Sequence, residues 1–256
     1  MIEVISEIGI NHNGDMSRAI EMIHVSKECG ADVAKFQIYD PEWLLDENDS
    51  DLRDCWDMIL KTKLTRQWVE LLKGECDSVG IEFFASVFRP EVVEWTEEIG
   101  MRRYKIASRS IYDKELAEAI AATGKPVIIS YGMVKEGKVP AIVEILGMDE
   151  RLKHLYCVAE AEYPTPFEKF RFFTSEGQSI FGPLGYDGFS DHSVGIMASI
   201  VAMYFGALII EKHFTLNKQL PGPDHTCSVT PSELKLLCKV RRNWSEVLLQ
   251  MYPTEH

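Results

Sequence analysis

The residues of this chain that could do chemistry recur at one kind of place, at or just past the end of a short apolar run. Glu7 ends the first such run, Lys35 and Gln37 stand in DVAKFQIY (32–39), Ser86 in IEFFASVF (81–88), Lys105 and Ser108 in RYKIAS (103–108), and Ser130 ends PVIIS (126–130). Tyr163 follows a run starting at His154. Ser190, Asp191 and His192 close a run starting at Gly188, Glu211 and His213 lie in ALIIEKHF (207–214), and Asp224 lies in the loop PGPDH. Taken singly, each has a bland reading: a strand lysine snorkels to solvent, a serine caps the next helix, a lone histidine fills a core. Their joint placement is harder to dismiss, because a charge in a doubly buried strand is costly unless it is paired or binds something. Lys35 and Lys105 stand out for that reason. His192 and His213 end consecutive strands, so both imidazoles can face one divalent ion, and Mn, Fe, Co and Zn all suit such a pair. Glu211 shares a face with His213 by strand alternation and could orient a ligand, hold metal-bound water or do acid–base work. Asp224 is the next candidate, and His225 beside it reads as a solvated loop residue. Two lysines, several hydroxyls and an ion describe an anion site beside an electrophile-activating centre, suited to phosphate chemistry or carbonyl polarisation.

The elements that must position these residues alternate along the chain. Strands are predicted at about Ile2–Ile8, Asp32–Tyr39, Ile81–Phe88, Arg103–Ser108, Pro126–Ser130, His154–Ala161, Gly188–Asp191 and Ala207–Phe214. Helical segments lie between them: one runs from Asn13-Gly14-Asp15 to Gly30, one is capped by Thr65 and ends at Gly80, one opens at Pro90, and one closes at Gly124. An acidic irregular loop follows the second strand, and a last helix spans Thr230 to about Leu249. That pattern gives eight strands, seven connecting helices and one closing helix. Continuous apolar strands with long crossovers belong to a parallel sheet buried on both faces. Eight units of this size in 256 residues fit a single (β/α)8 TIM barrel occupying 1–256. An open doubly wound sheet is the alternative, since periodicity does not show closure. In a barrel, the strand ends just described would converge on one mouth.

Composition narrows the partners. With 46% hydrophobic and 26% charged residues the chain is of ordinary globular type, not disordered or low-complexity. A net charge of -13 argues against nucleic acid and anionic membrane surfaces. The N-terminus lacks a signal-peptide pattern and no stretch is apolar enough to cross a membrane, so a soluble, cytoplasmic protein is expected. The 6 cysteines have no C-x-x-C spacing and read as mostly buried free thiols.

An ordered set of segments then carries a resemblance: SEIGINHNGD (6–15), AKFQ (34–37), FFASVF (83–88), YKIAS (104–108), GKPVIIS (124–130), YPTP (163–166), GFSDHSVGI (188–196), and EKHFTL with PGPDH (211–225). Together they resemble the N-acetylneuraminate (sialic acid) synthases and related nonulosonic acid synthases. The resemblance implies a (β/α)8 barrel that condenses phosphoenolpyruvate with an open-chain N-acylhexosamine, typically N-acetylmannosamine, and releases phosphate. It implies His192 and His213 as ligands of a divalent metal, manganese in most members, with magnesium, cobalt, iron or zinc as alternatives. It matches Lys35, Ser86, Lys105, Ser108, Ser130 and Ser190 to positions that hold phosphoenolpyruvate, and Glu7, Tyr163 and Asp224 to positions that contact the sugar or its bound water. The partner it implies beyond substrates is a second copy of the chain; the family's antifreeze-like domain has no counterpart before residue 256, so either a separate lid protein supplies it, or the acceptor differs, or the chain's own loops serve.

Three positions depart from the family pattern. The acidic residue usual two positions after the fourth-strand serine is absent: the run is Ser108-Arg109-Ser110, and Arg109 is either a surface residue or, pointing inward, a group suited to a more anionic acceptor. Tyr131-Gly132 replaces Thr-Gly, and Ala161 stands where an asparagine is common. A 3-deoxy sugar acid synthase acting on another aldose, and a catalytically impaired barrel serving as a binding subunit, are the alternatives these changes raise.

Overall fold

In the computed structural model, which describes residues 2–44, 56–135, 140–147, 149–159, 163–182 and 185–251, the apolar runs form β1 (Glu3–Gly9), β2 (Val33–Ile38), β3 (Glu82–Val87), β4 (Tyr104–Ile106), β5 (Val127–Ser130), β6 (Leu152–Cys157), β7 (Gly188–Asp191) and β8 (Ile209–His213). All neighbours are parallel, and β1 pairs with both β2 and β8, so the sheet closes into the expected barrel and the open-sheet alternative is excluded. Around it lie α1 (Met16–Cys29), α2 (Pro41–Leu44), α3 (Trp56–Lys61), α4 (Arg66–Val79), α5 (Pro90–Glu98), α6 (Lys114–Ala122), α7 (Ile142–Leu146), α8 (Met197–Tyr204) and α9 (Pro231–Met251).

Local signals account for the helix boundaries. Asp15 accepts a hydrogen bond from the Arg18 backbone N–H and starts α1, and Gly30, at φ 93°, ends it. Thr65 and Gly80 bracket α4 in the same way. Thr230 and Glu233 form a capping box at α9, the carboxylate accepting from the Thr230 N–H at 2.8 Å.

The predicted helix between the sixth and seventh strands is not found among the described residues. That connection holds a 3-10 turn, Phe167–Lys169, and an antiparallel bridge between Phe173 and Ser179. Phe170, Phe172 and Phe181 pack their rings on Tyr156 of β6 and Phe189 of β7. Aromatic side chains thus cover the outer sheet face that a helix covers elsewhere. β6 also begins two residues earlier than expected and ends at Cys157. Residues 160–162, which include Ala161, lie outside the described residues, as does Cys55; the other five cysteines are buried and free.

The barrel interior is layered. At the floor, Arg103 meets Glu3 at 2.6 Å and Glu82 at 2.8 Å. Above it lies an apolar layer of Ile5, Val33, Phe84, Ile128, Leu155 and Ile209. The next inward positions are polar, and they form the mouth at the strands' C-terminal ends.

Candidate active site

Strand alternation sends Glu7, Lys35, Gln37, Ser86, Lys105, Ser130, Ser190, Glu211 and His213 inward above the apolar layer, and a cavity of about 300 Å³ opens there. Ser108, Tyr163, His192 and Asp224 complete its wall from the loops. Of the strand-end residues singled out from the sequence, all but Asp191 line this one cavity; Asp191 points to the outer side of β7 and pairs with Lys212. The additional wall residues Phe88, Ala107, Met133 and Ala159 are apolar, and nothing in their type distinguishes them from core residues.

The deepest part is an ionic cluster. Lys35 Nζ lies 2.8 Å from Glu7 Oε2 and 3.3 Å from Glu211 Oε2, and Lys105 Nζ lies 3.6 Å from Glu211 Oε1. Gln37 donates to Glu7 Oε1 at 2.8 Å, Ser190 donates to Glu211 Oε1 at 3.0 Å, and Lys105 donates to Ser130 Oγ at 2.7 Å. Glu7 Oε2 and Glu211 Oε2 face the ammonium group yet accept no aligned hydrogen bond, so the cluster is not closed on itself. Burial pushes the Glu7 carboxyl up to about 7, with Lys35 opposing and the Glu211 charge adding. Burial works against Glu211 too, but Lys105 and Lys35 together hold its carboxyl below the usual range. Burial likewise disfavours charge on both lysines; two carboxylates raise Lys35 above its ordinary value, whereas Lys105, with Lys35 repelling it, is lowered.

At the β7–β8 side, the rings of His192 and His213 stand 5.3 Å apart. His213 Nδ1 is buried without a hydrogen-bond partner, 3.8 Å from Asp224 Oδ2. Burial keeps this imidazole's pKa below its ordinary value, which leaves a free lone pair. Tyr163 donates to Asp224 Oδ1 at 2.9 Å and packs its ring edge on His192. Among the described residues no group of three or more His, Cys, Asp or Glu forms a ready-made metal cluster. Two imidazoles, one of them with an orphaned, buried nitrogen, do fit a cation whose other positions are open to oxygen ligands.

The loop after β1 holds the Asp224 loop in place. Asn13 donates to the Pro221 carbonyl at 2.9 Å, and Asn11 donates to the Phe214 carbonyl and to Ser228 Oγ, both at 2.8 Å. His225, expected to be solvated, is fully buried and bonds Thr215 Oγ1 at 2.8 Å and Asn13 Oδ1 at 3.1 Å. The loop turns Asp224 toward the cavity and uses His225 as the pin. Gly14 is required at the base of this arrangement: at φ +72° its added Cβ would lie 2.3 Å from the Lys61 carbonyl oxygen.

The departing residues separate cleanly. Ser108 lies in a 3-10 turn, Ser108–Ser110, beyond β4, and its Oγ accepts from the Gly132 N–H at 3.0 Å. Ser110 is buried away from the cavity, and Arg109 lines the mouth. Tyr131 turns to the outside of the barrel, where its hydroxyl meets His154 Nδ1 at 2.6 Å. Cys157, which no sequence signal distinguished, follows Leu155 by two residues and shares its inward face, with its sulfur 3.8 Å from His192 Nδ1.

The NeuB family model matches residues 22–251. The chain is 31% identical to the N,N'-diacetyllegionaminic acid synthase of Legionella pneumophila, over 96% of this chain and 72% of that one. It is also 31% identical to the human N-acetylneuraminate-9-phosphate synthase, over 98% and 74% of the two chains. The crystal structure of the N-acetylneuraminic acid synthetase from Leptospira borgpetersenii superposes with a TM-score of 0.80 at 29% identity, covering 96% of this chain and 85% of that one. Matched from the first helix to the last and built on the same barrel, the chain belongs to the NeuB family.

Proposed function

We propose that this protein condenses phosphoenolpyruvate with an open-chain N-acylhexosamine to give a nonulosonic acid and inorganic phosphate. The observation that carries the reading is the pairing, in one cavity, of two buried lysines with two imidazoles, of which His213 has an orphaned nitrogen left for an electrophile-activating cation. Relatives named as legionaminic and pseudaminic acid synthases support it.

In this reading Lys35 and Lys105 neutralise the carboxylate and phosphate of phosphoenolpyruvate, and Ser86, Ser108, Ser130 and Ser190 supply hydroxyl donors around them. Holding both anionic ends orients carbon 3 toward the acceptor carbonyl and makes the bond-forming step effectively unimolecular. His192 and His213 would hold the divalent cation, manganese first among the candidates, which supplies Lewis-acid polarisation of that carbonyl. Tyr163 and Asp224 contact the acceptor hydroxyls. Glu7, shifted to about 7, can carry a proton or release it near neutrality, which suits it to acid–base transfer at the acceptor oxygen or at the attacking water. Glu211 stays ionised and compensates the lysines. As carbon 3 bonds to the carbonyl carbon, water adds at carbon 2, and the tetrahedral species loses phosphate.

Phosphate release with phosphoenolpyruvate, manganese and a panel of aldoses tests this. Turnover of N-acylated hexosamines is expected. Turnover confined to aldose phosphates lacking the N-acyl group would move the protein to 3-deoxy sugar acid synthesis. Calorimetric binding of phosphoenolpyruvate without any turnover would make it a binding subunit.

A further inference from the structure

The cations that line the cavity differ in one respect that bears on substrate class. Lys35 contacts two carboxylates and Lys105 one, whereas Arg109 has no ion pair or hydrogen bond among the described residues. Its direction is set by its neighbours. In a 3-10 turn successive side chains point about 120° apart. Ser108 Oγ is tied to the Gly132 N–H, and an added Cβ at Gly132 would lie only 2.9 Å from that oxygen, so the contact is close. Ser110 is buried behind the turn, which leaves Arg109 at the mouth. In the closed strand order β4 stands opposite β8, so the turn that carries Arg109 lies across the opening from the end of β8, which carries His213. Charge balance points the same way. The inner lysines share Glu7 and Glu211, and at the rim Asp224 already accepts from Tyr163, so among the described residues Arg109 is the wall cation left without a counter-charge.

Resting on the synthase reading above, we propose that Arg109 selects an acceptor with an anionic group, a phosphate or a carboxylate, at the end remote from its carbonyl. An open-chain hexosamine with its carbonyl at the imidazoles places carbon 6 on the far side of the mouth, where the guanidinium can bind an anion through paired N–H donors.

The test compares N-acetylmannosamine, its 6-phosphate and the corresponding uronate as acceptors, with wild type, Arg109→Ala and Arg109→Lys. For wild type, kcat/KM for one of the charged acceptors should exceed that for the neutral one by about tenfold or more, the size of one charge-assisted bond. Whichever of the two responds identifies the anion as phosphate or carboxylate. Arg109→Ala should erase the preference while leaving KM for phosphoenolpyruvate and turnover of the neutral sugar within about twofold, and Arg109→Lys should retain part of it. Equal use of all three acceptors by wild type overturns the proposal. A rise in KM for phosphoenolpyruvate in Arg109→Ala also overturns it, by assigning Arg109 to that substrate. If no acceptor turns over, the synthase reading fails. Calorimetric titration of the same three sugars then still reads the inference: tighter binding of a charged sugar, lost in Arg109→Ala, sustains it, and equal affinities refute it.

Discussion

Lys35 and Lys105 are equally buried but not equivalent, because Lys35 is held between two carboxylates and Lys105 shares one. Lys105 is therefore the ammonium more available to an incoming anion. Lys105→Met is expected to raise KM for phosphoenolpyruvate by about tenfold or more with a much smaller effect on the acceptor, measured by initial rates in both substrates. Equal effects on both would remove it from the anion site. His213→Ala is expected to lose stoichiometric manganese, measured by metal analysis, and metal-dependent turnover, with the circular dichroism spectrum unchanged. At this scale the sequence was informative wherever a residue's type was expensive in a buried strand. It was uninformative for Phe88 and Met133, whose apolar side chains suit a core and a pocket wall alike, and misleading for His225, whose burial depends on a loop more than two hundred residues away.

The elements carry a device behind the two histidines. On the outer side of β7 and β8, Asp191 and Lys212 form a fully buried ion pair at 3.1 Å. Asp191 also accepts from Ser193 and Ser199, and Lys212 donates to the Ser193 carbonyl. Each partner immediately precedes one of the imidazoles in sequence, so the pair holds the two strand ends in register. Lys212→Met is expected to cost about 3–5 kcal/mol in urea unfolding by leaving Asp191 uncompensated. The double variant with Asp191→Asn should lose less than the sum of the singles, and strict additivity would count against a direct pair. The loop after β1 adds a pH dependence. Burial holds His12 down to about 4, and its Nδ1 accepts the Gly14 N–H at 3.1 Å. Between about pH 4 and 6.5 the unfolded chain thus binds more protons at this site than the native protein. Its stabilising contribution is complete above about pH 6.5 and is lost as the pH falls toward 4, by up to about 3 kcal/mol. Urea midpoints of wild type and His12→Asn should converge over that interval and keep a constant separation from pH 7 to 8.

Over the whole molecule the two barrel ends are specialised. Arg103, Glu3 and Glu82 close the floor, and a full apolar layer separates them from the cavity. Arg103→Ala leaves two carboxylates facing each other and should lower unfolding stability by about 1–3 kcal/mol, less than a fully buried pair because the three groups keep partial exposure. Both KM values should stay unchanged, since the floor does not touch the mouth. A shifted KM would show that the ends are coupled.

Strand number, strand character and the reactive inventory were determined by the sequence alone, because doubly buried parallel strands must read as apolar runs and the exceptions within them are few. The prediction failed at the β6–β7 connection, where helix and aromatic cover are both apolar and periodicity does not separate them. Closure, the partnering of Lys35 with Glu7 and Glu211, the burial of His225 and the placement of Arg109 were decided only in three dimensions. Each depends on which distant segments meet, and a strand's own pattern says which face is buried but not what the opposite wall contributes.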